Sequence, residues 1–252
     1  MTMAKSKAID VAVEETIYSL KIGIVGAKPP IWRRVLTCPT ATLSDLHRVI
    51  QVIMGWQESH LHQFELPLPP PDEDAGEEVI VTGHVDRIYM WRDRNVYVPK
   101  TDPLGNPFDW MDDDYGDEST VWLCDILFAP GAKRRFTYTY DMGDSWDHEI
   151  IIEKELPADP EADYPVCVTG KRNGLIEDCG GIWGYEELLA ILADPKHEDY
   201  AERKEWLGEC YGVSRWDADK FDLEGINRRL KPLRPRRRKK KVTPASALPT
   251  PA

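Results

Sequence analysis

A chain of 252 residues, 42% of them hydrophobic, can bury the core of one large domain or two small ones. Of its 32 basic residues, eight lie at or beyond Lys231, and no acid follows Glu224, so residues 1–230 set 24 cations against 44 acids, a net charge of −20. Such a body repels a phosphate backbone, which excludes nucleic-acid binding by bulk charge and confines it to the tail.

Two further classes are set aside on composition. Apolar runs such as Ile22 to Val25 and Val49 to Met54 fall far short of the roughly 20 residues that span a bilayer. The opening MTMAKSKAIDVAVEE carries acids where a secretory signal needs an apolar stretch, so the expectation is a cytoplasmic protein without membrane contact. Cys38, Cys124, Cys167, Cys179 and Cys210 are scattered and form no C-x-x-C pair, which reads as reduced thiols.

In chain order, residues 1–14 read as a loose arm. Thr16 to Val25 then alternates, with Tyr18, Leu20, Ile22 and Ile24 on one face, and predicts a first strand. Pro29 and Pro30 break the chain before a short strand over Ile31 to Leu36, whose Arg33 and Arg34 face opposite ways. Thr42 and Asp45 form a capping-box start. Leu43, Leu46, Val49, Ile50, Ile53 and Met54 trace one helical stripe that Gly55 ends. His60, His62 and Phe64 fall on one side of a predicted third strand.

From Pro67 to Thr120 the pattern loosens into a PLPPPDEDAGEE loop, a strand pair around Val79–Val81 and Arg87–Val98, and an acidic loop DWMDDDYGDE, together read as a rim insertion. Val121 to Leu127 reads as a short helix. Phe136, Tyr138 and Tyr140 alternate with threonines, and Trp146, His148, Ile150 and Ile152 share one parity after the turn, which predicts a hairpin. Beyond Pro165 the pattern is helical. Helices are expected over Tyr185–Leu192, over Glu198–Leu207 ending at Gly208, and from Asp222 with Leu223, Ile226 and Leu230 inward. Residues 231–252 read as a disordered basic tail, leaving 15–230 as one α+β domain, an antiparallel or mixed sheet flanked by helices.

The blocks PPIWRRV, TLSDLHRVIQVIMGWQESHLHQF, FTYTYDMGDSWDHEIIIE, EDCGGIWGYEELLAIL, HEDYAERKEWLG and FDLEGINRRL, in that order, resemble the plasmid pRiA4b ORF-3-like family, also labelled TnpR-like passenger proteins of insertion elements. The resemblance implies an α+β domain found on plasmids, mobile elements and chromosomes, with no established activity. Leu175 and Ile176 stand where the family commonly has two prolines, and the middle insert is longer and more acidic.

Two dense stretches carry the candidate chemistry. In YDMGDSWDHEI, Gly143 can supply a positive φ while Asp141 and Asp144 accept turn N–H bonds and Trp146 covers the core, which is structure enough. The functional reading groups His60, His62 and His148 as inward-facing candidate ligands of a divalent transition metal, with Asp144 or Glu177 as general base and Glu177, Asp178 or Cys179 as a further ligand. In EDCGGIWGYEE, the glycines open a helix whose N–H groups can hold an anion, or merely let Trp183 and Tyr185 pack. The acidic run is read as solvated, and the arginines around a serine that a recombinase would use to grip phosphate are missing from the body.

The expectation from these residues is a noncatalytic binding or accessory module with no cofactor. Its binding residues are Trp146, Asp178, Trp183 and Tyr185 for a protein partner, and Arg236, Arg237, Arg238, Lys239, Lys240 and Lys241 for nucleic acid. The alternative is a metal-dependent hydrolase.

Overall fold

A computed structural model describes residues 15–66, 79–82, 88–91, 96–101, 116–128 and 134–234. The expected N-terminal arm, the PLPPPDEDAGEE loop, most of the acidic loop and the six tail cations from Arg236 to Lys241 lie outside them.

Ten strands are described: β1 (Thr16–Ile24), β2 (Trp32–Thr37), β3 (His62–Glu65), β4 (Val79–Thr82), β5 (Ile88–Trp91), β6 (Val96–Val98), β7 (Gly116–Asp117), β8 (Arg135–Tyr140), β9 (Trp146–Pro157) and β10 (Val166–Lys171). Eight form one mixed sheet in the order β10-β2-β1-β9-β8-β3-β6-β7, antiparallel at every junction except β6 with β7, while β4 and β5 make a separate pair. The helices are α1 (Leu43–Met54), α2 (Leu123–Phe128), α3 (Gly181–Ala193), α4 (Tyr200–Tyr211) and α5 (Leu223–Leu230). The chain is thus an α+β domain with its helices on a mixed sheet. No helix among the described residues is long and apolar enough to cross a membrane.

Helix α1 forms for local reasons. The Thr42 side chain accepts from the Asp45 N–H while the Asp45 carboxylate accepts from the Thr42 N–H, and Gly55 closes the helix in the left-handed region at φ 88°. Its stripe of Leu43, Leu46, Ile50, Ile53 and Met54 is buried, each side chain contributing about 1.5–3 kcal/mol of transfer free energy. It lies against the sheet face built by Leu20, Ile22, Val35, Phe64, Phe136, Tyr138, Tyr140, Trp146, His148 and Ile150. The β8–β9 register pairs Tyr138 with His148 and Tyr140 with Trp146, and β3–β8 pairs His62 with Tyr140 and Phe64 with Tyr138, so the predicted parity places all of these rings on one interior side.

Several expectations are corrected. The segment after Pro165 first makes β10, which pairs with β2 and forms one edge of the sheet; its six residues, opening after a proline and closing on Gly170–Lys171, gave too short an alternation to register. Part of the presumed rim insertion is main-sheet edge, since β6 and β7 extend it beyond β3. The acidic run is not wholly solvated: Asp117 caps the turn after β7, and Glu118 is buried. Helix α4 passes through Gly208 and stops at Gly212, whose φ of 64° is the helix-ending conformation. The structured chain also continues past Leu230, because Lys231–Leu233 adds a 3-10 turn and Arg234 Nε donates to the Pro165 carbonyl at 3.2 Å.

Candidate functional site

The tip of the β8–β9 hairpin and the loop entering α3 are far apart in sequence and meet in space. Within the tip, Asp141 Oδ1 accepts from the N–H groups of Gly143 (2.9 Å) and Asp144 (3.3 Å), and the Ser145 N–H donates to the Asp141 carbonyl at 2.6 Å. The left-handed residues are Asp141 (φ 57°) and Ser145 (φ 51°), not Gly143 as expected; the Asp141 side chain stabilises the bend locally, and aspartate tolerates that region.

The facing loop runs from Glu177 to Gly181 with Asp178, Gly180 and Gly181 all at positive φ. Asp144 Oδ2 accepts from the Gly180 N–H at 3.1 Å, at the N-terminal end of α3. The anion anticipated at this helix start is therefore the protein's own carboxylate, placed where the helix dipole favours it. Glycine at 181 is required twice over, since a Cβ there would run into the Asp144 carbonyl oxygen and its φ is 66°.

Around this junction one ligand atom from each of His60, Asp141 and Asp178 lies within 4.8 Å of the others. His60 Nδ1 is 3.6 Å from Asp141 Oδ2 and Nε2 is 3.1 Å from Asp178 Oδ1, the latter off the line a hydrogen bond requires. His60 precedes β3 rather than lying on it, so its ring turns towards the hairpin tip, edge-on to Tyr140. Directly beneath, the Tyr140 hydroxyl donates to Glu177 Oε1 at 2.6 Å and accepts from the Ser59 N–H at 3.0 Å. Burial and the Glu177 carboxylate both push the Tyr140 hydroxyl far above its usual range. Burial likewise holds the Cys179 thiol up at about 12, keeping it a thiol rather than a thiolate ligand.

The three histidines proposed together from parity do not converge as one ligand set. His62 is buried with Nε2 2.8 Å from Glu118 Oε2. His148 is buried with Nδ1 donating to the Trp146 carbonyl at 2.8 Å, and burial lowers it to about 4, so its ring is neutral. Parity placed both rings inside, but a shared face does not give a shared point. Of the remaining candidates, Glu177 is engaged by Tyr140, Asp144 by Gly180, and Trp146 and Tyr185 are each 1% exposed in the core, out of a partner's reach. Trp183 does the reverse of packing: it is 81% exposed, and Asp178 beside the junction is exposed too. One turn of α3 carries both rings, and two residues apart on a helix they face nearly opposite ways, Tyr185 in and Trp183 out.

Three groups escaped the sequence reading. His47 and Gln51, one turn apart on α1, reach the Tyr138 hydroxyl at 2.8 and 3.2 Å. Gln51 donates there through Nε2, and the hydroxyl keeps its own proton to offer His47 Nδ1. Polar residues at i and i+4 inside an apolar stripe were the available signal. Glu118, the partner of His62, carried none, because an acid at the end of an acidic run looks solvated.

Comparison with known proteins agrees with the fold and adds no activity. The chain is 31% identical over 221 residues to an uncharacterized protein, y4hQ, of Sinorhizobium fredii, covering 86% of this chain and 92% of that one. It superposes with a TM-score of 0.61 on the crystal structure of a protein of unknown function, MM3350, from Methanosarcina mazei Go1, at 32% identity, covering 83% of this chain and 97% of that one. The profile of the plasmid pRiA4b ORF-3-like proteins matches residues 16–225, and the chain belongs to that family.

Proposed function

We propose that this protein is a noncatalytic binding module whose docking surface is the junction of the hairpin tip and the start of α3. The observation that carries the reading is Trp183, 81% exposed on α3, whereas the other described aromatic side chains are buried or half-buried. Met142 at the hairpin tip and Val25, just past β1 and bonded through its N–H to the Asp147 carbonyl (2.9 Å), are further exposed apolar groups of the hairpin region. Exposed apolar groups gathered at one place mark interaction surfaces, and tryptophan is the residue most enriched among those that dominate binding energy.

The rim is acidic, with Asp178 and Glu187 exposed and Asp144 half-buried. Charge complementarity then favours a protein partner offering an apolar anchor flanked by lysine or arginine. Selection from a random peptide library tests this. Enriched peptides should carry that pattern, and Trp183→Ala should weaken them by about 2 kcal/mol while leaving the melting temperature alone. Enrichment of nothing, or of peptides indifferent to Trp183→Ala, rejects the module.

A second reading rests on the His60, Asp141 and Asp178 grouping, whose two carboxylates and one imidazole suit a divalent transition metal. A metal-dependent hydrolase would use that ion with Asp144 or Glu177 as base. Elemental analysis separates the two: a stoichiometric metal lost in His60→Ala favours the hydrolase, and a folded, metal-free protein favours the module.

A further inference from the structure

A cavity of about 360 Å³ opens between the C-terminal end of α1, the residues after β10 and the segment from α4 to α5. Its walls include Trp56, Tyr211 and Trp216, and its cations are Arg33, Arg172, Lys220 and Arg229, against Asp222 alone among acids. In a domain whose first 230 residues carry a large negative charge, this is a concentrated reversal of sign.

Arg33 sits at the floor. It is 1% exposed, yet among the described residues no carboxylate comes within ion-pair distance of it. Its Nε donates to the Ile53 carbonyl (3.1 Å), one terminal nitrogen donates to the carbonyls of Trp32 and Lys171 (2.9 Å each), and its planar group lies 5.2 Å from the centre of the Phe221 ring. The second terminal nitrogen, with two N–H groups, has no hydrogen bond to any described residue. Three carbonyls account for the structural role of the arginine, helix capping included. They neutralise no charge, and a buried guanidinium is costly unless paired. Burial lowers Arg33 to about 10, which still leaves it cationic at neutral pH.

Gly170 lets the Phe221 ring close over this floor, because a Cβ there would meet the ring carbons at 2.7 Å. Gly174 likewise lets the loop after β10 press against the Met54 carbonyl. Of the cations at the mouth, Arg172 is tied to Asp219 at 3.1 Å, whereas Lys220 and Arg229 are exposed and have no carboxylate partner among the described residues.

From this arrangement we infer that the cavity is a binding site for a small phosphate monoester, its phosphoryl oxygens taken by Arg33, Lys220 and Arg229 and its flat or apolar body lying along Trp56, Tyr211 and Trp216. A guanidinium presents paired N–H groups that match phosphoryl oxygens, and a volume of this size suits a ligand as large as a nucleoside monophosphate. Its lining residues are not those of the hairpin-tip surface, so the two proposals are tested by different variants and either can fail alone.

Calorimetric titration of the full chain at low salt, with AMP and phenyl phosphate as probes and adenosine and phenol as their uncharged counterparts, tests it. The expected result is saturable binding of both phosphates, competed by inorganic phosphate and weakened by added salt. The double variant Lys220→Gln/Arg229→Gln, which touches only exposed side chains, should keep the wild-type melting temperature and bind about tenfold more weakly. Adenosine binding as tightly as AMP, an unchanged affinity in the double variant, or no saturable heat from the folded wild type overturns the proposal.

Discussion

The imidazole rings of His47 and His62 lie face to face, 3.5 Å between centres and 5° from parallel, between α1 and β3. One is bonded to the Tyr138 hydroxyl and the other is set against Glu118, so a single buried layer joins helix, sheet and the β7 edge.

That layer makes stability fall in mild acid. Burial, then the charges of His62 and Arg48, lower His47 to about 2, and burial lowers His148 to about 4. Below about pH 6.5 the unfolded chain takes up protons at both residues that the folded chain refuses. Their stabilisation is complete above that pH and is lost as pH falls towards the folded values. Between pH 6.5 and 5 the two together should remove on the order of 3 kcal/mol, read as a falling urea midpoint. His47→Gln should flatten the slope; an unchanged slope would contradict the assignment.

The Tyr140–Glu177 bond ties the sheet to the loop beneath the candidate junction. Tyr140→Phe strands the Glu177 carboxylate and the Ser59 N–H and should cost about 1–3 kcal/mol in denaturant unfolding. Asp147→Asn, whose partner Thr139 is exposed on the other face, should stay within about 0.5 kcal/mol. Equal costs would mean that the buried bond is not what holds the loop.

Glycine 181 should be the most sensitive position of the loop. Gly181→Ala meets both the Asp144 carbonyl and an unfavourable φ, so it should separate the hairpin tip from α3 and lower stability by more than about 1 kcal/mol. Amide hydrogen exchange at Gly180, whose N–H donates to the Asp144 carboxylate, reports the separation directly. Protection equal to wild type would show that the backbone accommodates the methyl without undocking.

The six tail cations beyond Arg234 are proposed to contact nucleic acid without regard to sequence. Retention on duplex DNA should weaken with salt with a slope no steeper than about −5, and should vanish on deletion of residues 235–252. Retention that survives the deletion would assign the contact to the domain instead.

How much could be read in advance follows from the range of the forces. The stripe and caps of α1, the hairpin parity and the Asp222 cap of α5 are set by neighbours within four residues, and they appear in the structure as expected. Edge strand β10 and the burial of Glu118 depend on partners roughly 50 to 130 residues away, and their own residues carry no trace of them. His60 illustrates the boundary: two residues before β3, it leaves the interior parity altogether and joins Asp141 and Asp178.

From its residues alone this chain determined which side of each strand and helix turns inward, because alternation and helical period act locally through burial of apolar surface. Only the packed domain decided where those faces converge: Asp144 on the start of α3, Arg33 at the floor of an aromatic cavity, Trp183 outside while Tyr185 is enclosed. The physical reason is that a side chain's free energy of burial depends on what stands opposite it, and what stands opposite is supplied by distant chain.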